Sequence, residues 1–344
     1  MSRSMQNTVP DYPDFVQYQP IAVGIIISNN KILIAKRHAL SHQGGKWEFP
    51  GGKIEKDETV LQALARELYE ELDITPTSVQ HKITIPFHYQ APKQSVKVIL
   101  KVYLVASFTG EAKGKEGQEI RWVSAEELHL YKFPKANKAI IKAIELPSIY
   151  YISDDFNKHS ATNQLNQLFK QTPGLFQCRS SVNNQSMSEL ELILNGANEN
   201  AFKVQLNSSF YLELLNSNQT ELSNLIEKFI TQGNRLGIHL TGKDLHRFES
   251  LDLSLFNGYI SASCHQLDDI FMANHFSLDF IVISPINKTQ SHPNATAIGW
   301  KEFSRLCLAA QMPVYALGGM NKDDLNTAIN YGAQGISGIS LAGL

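Results

Sequence analysis

Cysteine is scarce in this sequence, with only Cys178, Cys264 and Cys307 among 344 residues. An odd number at wide spacing excludes a disulfide framework and a Cys-x-x-Cys zinc site, and points to reduced, mostly buried thiols. Long apolar runs are missing too. None approaches the roughly 18 residues of a membrane span, and residues 1–20, polar with Pro10, Pro13 and Pro20, contain no apolar core of a secretory signal. These residues read as a leader (1–19), and the expected location is the cytoplasm. Net charge is scarce as well, at −2. A chain without a basic excess has no general attraction for a polyanion, so neither a nucleic-acid polymer nor a membrane surface is an expected partner, whereas a small nucleotide carrying its own metal is compatible. Nothing in the composition fixes the oligomeric state.

What is present is a soluble-type composition, 43% hydrophobic and 19% charged, long enough for two domains. Apolar runs at Ile21–Ile27 and Lys31–Ala35 flank Ser28-Asn29-Asn30, a pattern of two strands and a turn. Val96–Val105 reads as a strand, and Lys138–Leu146 as a helix stopped by Pro147. That proline separates a first domain (20–147) from a second (148–344). Beyond it, eight short apolar segments alternate with helix-length connections: 150–153, 175–179, 202–207, 236–240, 258–262, 279–283, 313–317 and 335–339. Eight such strands predict a (βα)8 barrel whose last helix is missing or rudimentary.

The chemistry lies in Gly52-x5-Glu58-x7-Arg66-Glu67-Leu68-x-Glu70-Glu71. The six of these other than Leu68, at fixed spacing, arise by accident in on the order of one chain in 10^5. Thr59 with Gln62 forms a capping-box pair that starts a helix, with Leu61, Leu64, Leu68 and Leu72 as its buried stripe. Glu67, Glu70 and Glu71, related by i, i+3 and i+4, share a neighbouring face. An isolated Glu pair is most often a solvated helix face. Three crowded carboxylates behind glycines instead favour a hard cation, Mg2+ or Mn2+, that bridges phosphates. Arg66 is placed to brace the carboxylates, and Gly51 and Gly52 let backbone approach ion and phosphate.

These residues resemble the Nudix box, with Asp73 where that family has a glycine that ends the helix in a left-handed conformation. Ala22–Ile26, Lys36-Arg37, Trp47–Glu55, Gly114–Gln118 and Phe133–Asn137 extend the resemblance to the MutT-type branch, the 8-oxo-dGTP diphosphatases. The resemblance implies an α/β/α sandwich with a mixed sheet, and hydrolysis of an oxidised guanine triphosphate to the monophosphate and pyrophosphate, a nucleotide-pool sanitising activity. The mechanism it implies is attack of metal-activated water on the substituted phosphate. The metal site it implies comprises Gly51, Glu67, Glu70, Glu71 and Glu116, and the catalytic set Glu70, Glu67, Glu116 and Arg66. It further implies that Glu58 supports the loop and that the nucleotide is held by Arg37, Glu48, Phe49, Gly52, Lys53, Phe87, Phe133 and Asn137. An amide suits a base reader because it offers donors and acceptors. Read residue by residue, Asn137 is equally a helix cap, Arg37 a surface strand residue, Glu116 part of a charged loop, and Phe87 and Phe133 core aromatics.

The second domain resembles the thiamine-phosphate synthase and TenI superfamily of (βα)8 barrels. The resemblance is carried by Gln177-Cys178-Arg179, Gly237–Leu240 with Asp244, Ser263-Cys264-His265, Ser284-Pro285 with Thr289 and Gly299, and Ala316–Gly319. The site it implies comprises Gln177, Arg179, Asn207, Asp244, His265, Thr289, Gly318 and Gly319. A lysine expected in that pattern is Ser181, a metal aspartate is Ser208, and the Thr-Lys of the pyrophosphate loop is Ser291-His292. Losing that positive field argues against full synthase activity. His265 stands at the acid/base position of the thiazole tautomerase members. Three readings remain for the barrel: tautomerase, phosphate-ligand binder or buttress. The alternative for the whole chain is thiamine metabolism, with the Nudix half acting on thiamine-related diphosphates.

Overall fold

The computed structural model of the chain describes residues 18–38, 43–89, 96–156, 160–183, 185–288 and 296–343. In the N-terminal half, β1 (Gln19–Ser28) and β2 (Lys31–Lys36) are joined by Asn29 and Asn30, both at positive φ (50° and 58°). Two left-handed residues in a two-residue loop match the twist of an antiparallel hairpin, and asparagine tolerates them best after glycine. The sheet also contains β3 (Trp47–Glu48), β4 (Gly51–Lys53), β5 (Ile74–Tyr89), β6 (Val96–Gly110) and β7 (Ile120–Val123), in the order β3-β2-β1-β6-β5 with β4 on β1 and β7 on β2. β1 runs parallel to β6 and antiparallel to β4, so the sheet is mixed.

Helix α1 (Val60–Leu72) covers one face and α2 (Asn137–Glu145) the other. The Thr59–Gln62 capping box forms, with Gln62 N–H donating to Thr59 Oγ1 at 3.3 Å and Thr59 N–H to Gln62 Oε1 at 2.9 Å. Leu64, Leu68 and Leu72 are fully buried, each contributing roughly 1.5–3 kcal/mol. Leu61 departs from the expected stripe and is 51% exposed. Its angular position is right, but it lies in the first turn, where Val60 packs against the cluster instead. Asp73 closes the helix at φ 61°, ψ 30°, with Lys113 and Lys115 pairing its carboxylate at 2.7 and 3.1 Å.

The C-terminal half is a closed parallel barrel. Its strands are β8 (Ile149–Ile152), β9 (Leu175–Cys178), β10 (Lys203–Asn207), β11 (Leu236–Leu240), β12 (Ile260–Cys264), β13 (Phe280–Ile283), β14 (Val314–Leu317) and β15 (Gly335–Gly338), with β15 pairing β8. Helices α3 (Ala161–Leu168), α4 (Ser186–Glu199), α5 (Ser208–Thr231), α6 (Gly242–Leu245), α7 (Leu267–His275), α8 (Gly299–Cys307) and α9 (Leu325–Asn330) lie between the strands. After β15 comes one 3-10 turn, Ser340–Ala342. The three cysteines are free and buried. Among the described residues no helix is long and apolar enough to cross a membrane.

Candidate functional site

The box folds around Arg66. Its Nε and Nη2 donate to the two oxygens of Glu58 at 2.9 and 3.0 Å, and Nη2 also donates to the Lys53 carbonyl at 3.1 Å. Nη1 donates to Glu67 at 3.0 Å and Glu70 at 3.2 Å. One guanidinium thus ties the loop to the helix and aligns two carboxylates. Glu58 in turn accepts from Glu55 N–H at 3.1 Å, which fixes the loop.

The glycines hold the remaining carboxylates close. Gly51 has φ 140°, and a Cβ there would lie 2.1 Å from the Ala22 carbonyl oxygen. A Cβ on Gly52 would lie 2.2 Å from the Glu67 carboxyl group. Glu71 accepts from Gly51 N–H at 3.3 Å. The loop of Gly114–Gln118 docks on the last turn of α1, where Lys115 N–H and Gln118 Nε2 both donate to the Glu71 carbonyl at 2.9 Å, and this brings the exposed Glu116 alongside.

Burial, and then the negative charge of Glu48, Glu67 and Glu116, pushes the Glu71 carboxyl up to about 8. Burial also raises Glu67 and Glu48. This is the electrostatic signature of carboxylates with too little positive charge among them, and a divalent cation relieves it. Among the described residues no three such side chains converge as a finished ligand cage, since Glu67 and Glu70 point to Arg66 and Glu71 to Gly51. The donor set is oxygen only, as Mg2+ or Mn2+ requires.

Next to it lies a largely aromatic wall. Arg37 pairs with Glu48, Phe49 stacks on Phe133 at 5.5 Å, and Trp47 meets Tyr131 edge-on at 5.3 Å. Phe87 and Tyr89 lie 4.7 Å apart and pack toward α2. The Tyr89 hydroxyl shares a hydrogen bond with the Ala136 backbone and lies within electrostatic reach of Arg37 and Glu48. Tyr89 is absent from the residues selected by sequence; the period of two from Phe87 was the signal that places it on this face. Asn137 is not a cap. Ala136 holds the N-cap position without a side-chain bond, and Asn137 is buried, with no partner for its Oδ1.

The barrel residues separate into two groups. Gln177 and Arg179 at the end of β9, His265 after β12, and Gly318 and Gly319 after β14 stand at the C-terminal mouth, where barrel enzymes bind ligands. His265 Nδ1 donates to the Ser284 carbonyl at 2.8 Å, which fixes the orientation of the ring. Gln177 is buried, with its amide toward the Tyr150 hydroxyl inside the barrel.

Asn207 and Asp244, by contrast, are engaged. Asn207 caps α5, accepting from Ser209 N–H at 3.1 Å. Asp244 accepts from Ser208 and Thr241 on one oxygen and from Arg247 Nε and Nη2 at 2.9 and 2.7 Å on the other. Burial works to raise this carboxyl, but those three partners hold it below the usual range. A carboxylate so fully used does not offer itself as a metal ligand, because each donor would have to be displaced. Thr289, Ser291 and His292 lie outside the described residues.

Family models match this chain twice: the NUDIX domain over residues 18–144 and thiamine monophosphate synthase over 231–342. The 8-oxo-dGTP diphosphatase of Escherichia coli (strain K12) is 44% identical over 127 residues, covering 36% of this chain and 95% of that one. The CTP pyrophosphohydrolase of the same organism is 37% identical over 123 residues, covering 36% of this chain and 88% of that one. In the second half, a putative thiamine-phosphate synthase 2 of Aquifex aeolicus (strain VF5) is 40% identical over 85 residues, 25% of this chain and 46% of that relative, so less than half of its length is spanned. The chain belongs to the Nudix family, as a hydrolase of the 8-oxo-dGTP diphosphatase type continued in the same polypeptide by a thiamine-phosphate synthase-like barrel.

Proposed function

We propose that the N-terminal half hydrolyses an oxidised guanine nucleoside triphosphate, of the 8-oxo-dGTP kind, to the monophosphate and pyrophosphate. The observation that carries the base assignment is Asn137, a buried residue whose Oδ1 has no partner and which follows Ala136, the backbone partner of Tyr89. An orphaned buried acceptor costs about 1–3 kcal/mol and is kept where a ligand completes it. Phe49, Phe133 and Phe87 supply apolar surface for a purine, and Arg37 a cation for the nucleotide.

Glu67, Glu70, Glu71, Glu116 and the Gly51 carbonyl are the groups that would hold Mg2+ or Mn2+. Held by these groups, a divalent ion would supply charge neutralisation on the phosphates and would lower the pKa of a nearby water. Arg66 keeps Glu67 and Glu70 aligned, and Glu70 or Glu116 takes the proton as water adds to phosphorus and pyrophosphate leaves. The Gly52 and Lys53 backbone lies where phosphates approach.

The test is pyrophosphate release from 8-oxo-dGTP by the wild type and by Asn137→Ala. A rise of about 10- to 100-fold in KM with kcat little changed is expected, since the lost contact is a base hydrogen bond. Unchanged KM would remove Asn137 from the site. The similarity to a CTP pyrophosphohydrolase supports a second reading, a pyrimidine triphosphate, because an amide presents donors and acceptors to a cytosine edge as readily. For the barrel we propose a site for a small phosphate-bearing ligand at the mouth formed by Gln177, Arg179, His265, Gly318 and Gly319, with no synthase chemistry through Asp244. Thiazole phosphate binding that is lost on His265→Ala would favour the thiamine-related alternative.

A further inference from the structure

The connection between the two halves is packed, not slack. α2 ends at Glu145 and β8 begins at Ile149. Leu146, between them, is 4% exposed and joins the barrel's interior cluster of Tyr150, Leu175, Phe280, Val282 and Tyr315. The Pro147 carbonyl accepts from Tyr315 and the Ser148 carbonyl from Ile336 N–H at 3.0 Å.

Barrel side chains also grip the last turn of α2. Gln334, buried before β15, donates Nε2 to the carbonyls of Ala143 and Leu146 at 3.1 and 2.8 Å. Lys142 pairs with Asp279 at 3.2 Å and lies 4.8 Å from the ring of Tyr259. The Tyr259 hydroxyl reaches Glu145 at 3.4 Å, and Lys203 donates to the Glu145 carbonyl at 3.4 Å.

On its own side, α2 is poorly secured. It has nine residues and no side-chain bond at its N-cap, and it buries Asn137, Ala139, Ile140 and Ala143, with Ile141 and Ile144 half-buried at the edge of the same cluster. Helices shorter than about 12 residues depend on tertiary contacts for their stability. The helix is ~13 Å long, so a tilt of about 10° about its C-terminal end moves Asn137 by about 2 Å, more than a hydrogen bond tolerates.

We propose that the barrel anchors the base-reading helix: Gln334, Asp279 and Tyr259 are positioning residues that fix the C-terminal turn of α2 and thereby hold Asn137 against the base. This rests on the nucleotide reading above. It gives the second domain a role in the hydrolase whether or not its own mouth binds a ligand.

The test uses the full chain with Gln334→Leu, Lys142→Met and the conservative Lys142→Arg. Pyrophosphate release is measured on the triphosphate the wild type prefers and on its unmodified or alternative-base counterpart, and amide exchange is followed across 138–146. In the first two variants, exchange in α2 accelerates. KM for the preferred nucleotide rises about 10-fold, the preference ratio falls with it, and kcat and the Mg2+ dependence hold, because a small misplacement of a binding group acts on binding. Lys142→Arg keeps its ion pair and behaves as wild type. Faster exchange with KM and preference unchanged would overturn the proposal, as would wild-type exchange in both disruptive variants. A wild type that cleaves no triphosphate would refute the nucleotide reading separately, and the exchange measurement would then decide alone whether the barrel holds α2.

Discussion

The two halves treat a buried or half-buried carboxylate in opposite ways. Asp244 in the barrel is saturated by Ser208, Thr241 and Arg247, and its pKa is depressed. Glu71 in the Nudix site has one backbone donor and three carboxylates around it, and its pKa is pushed up to about 8. The first arrangement is complete as it stands and reads as structure. The second is under-compensated, and the repulsion held in place by glycine backbone and by Arg66 is what a divalent cation would relieve. The difference between site and scaffold here lies in what each carboxylate lacks, not in residue type.

The sharpest way to break this comparison is Glu70→Gln. Glu70 is exposed, so folding is unaffected, while loss of a proposed metal and base group lowers kcat by at least about 10^3-fold; pyrophosphate release near the wild-type rate would remove Glu70 from the chemistry. Arg66→Ala leaves Glu58, Glu67 and Glu70 without their shared donor, and kcat/KM falls about 10- to 100-fold with a higher Mg2+ requirement, as for lost supporting groups at metal sites. Steady-state kinetics across a Mg2+ titration checks both effects.

The barrel has its own sensitive group. His239 is buried between Ser261 and Ser263, each at 2.9 Å, and burial, with Arg179 nearby, lowers its pKa to about 3. Below pH 6.5 the unfolded chain binds a proton that the folded barrel refuses, so stability falls as pH falls through the window from 6.5 to 3. By pH 5 the loss is about 2 kcal/mol. Exchange protection of β11 and β12 between pH 7.5 and 5 measures it, and constant protection would contradict a neutral His239. The smallest effect is expected of Asp73→Gly, where relief of the left-handed strain opposes loss of the Lys113 and Lys115 contacts. Thermal unfolding should shift by less than about 1 kcal/mol, with kcat unchanged.

The barrel was legible because a buried parallel strand is a short apolar run, and eight of them recur at helix-length intervals. The box was legible because its chemistry needs several residues at fixed helical spacing, while the pairing of Arg66 with Glu58 appears only in the folded chain. β5 was not found: Pro76 and Pro86 and the register shifts near Pro76 and His81 break its alternation, and only its pairing with β6 defines it. Tyr89, at the end of β5, is hidden with it. Nor could the sequence show that Asp244 is fully engaged, since Ser208, which opens α5, lies 36 residues before it and meets it only through the fold. Departures from a family pattern show what was lost, while the hydrogen bonds that replaced it appear only in three dimensions.

The most direct measurement is pyrophosphate release by the purified full-length protein with Mg2+, comparing kcat/KM for 8-oxo-dGTP, dGTP, CTP and thiamine diphosphate. A preference for 8-oxo-dGTP over dGTP of at least about 10-fold, the worth of one base hydrogen bond, is the predicted result. Preference for thiamine diphosphate, or equal turnover of all four, would contradict the assignment of Asn137 and make the barrel the better guide to the substrate.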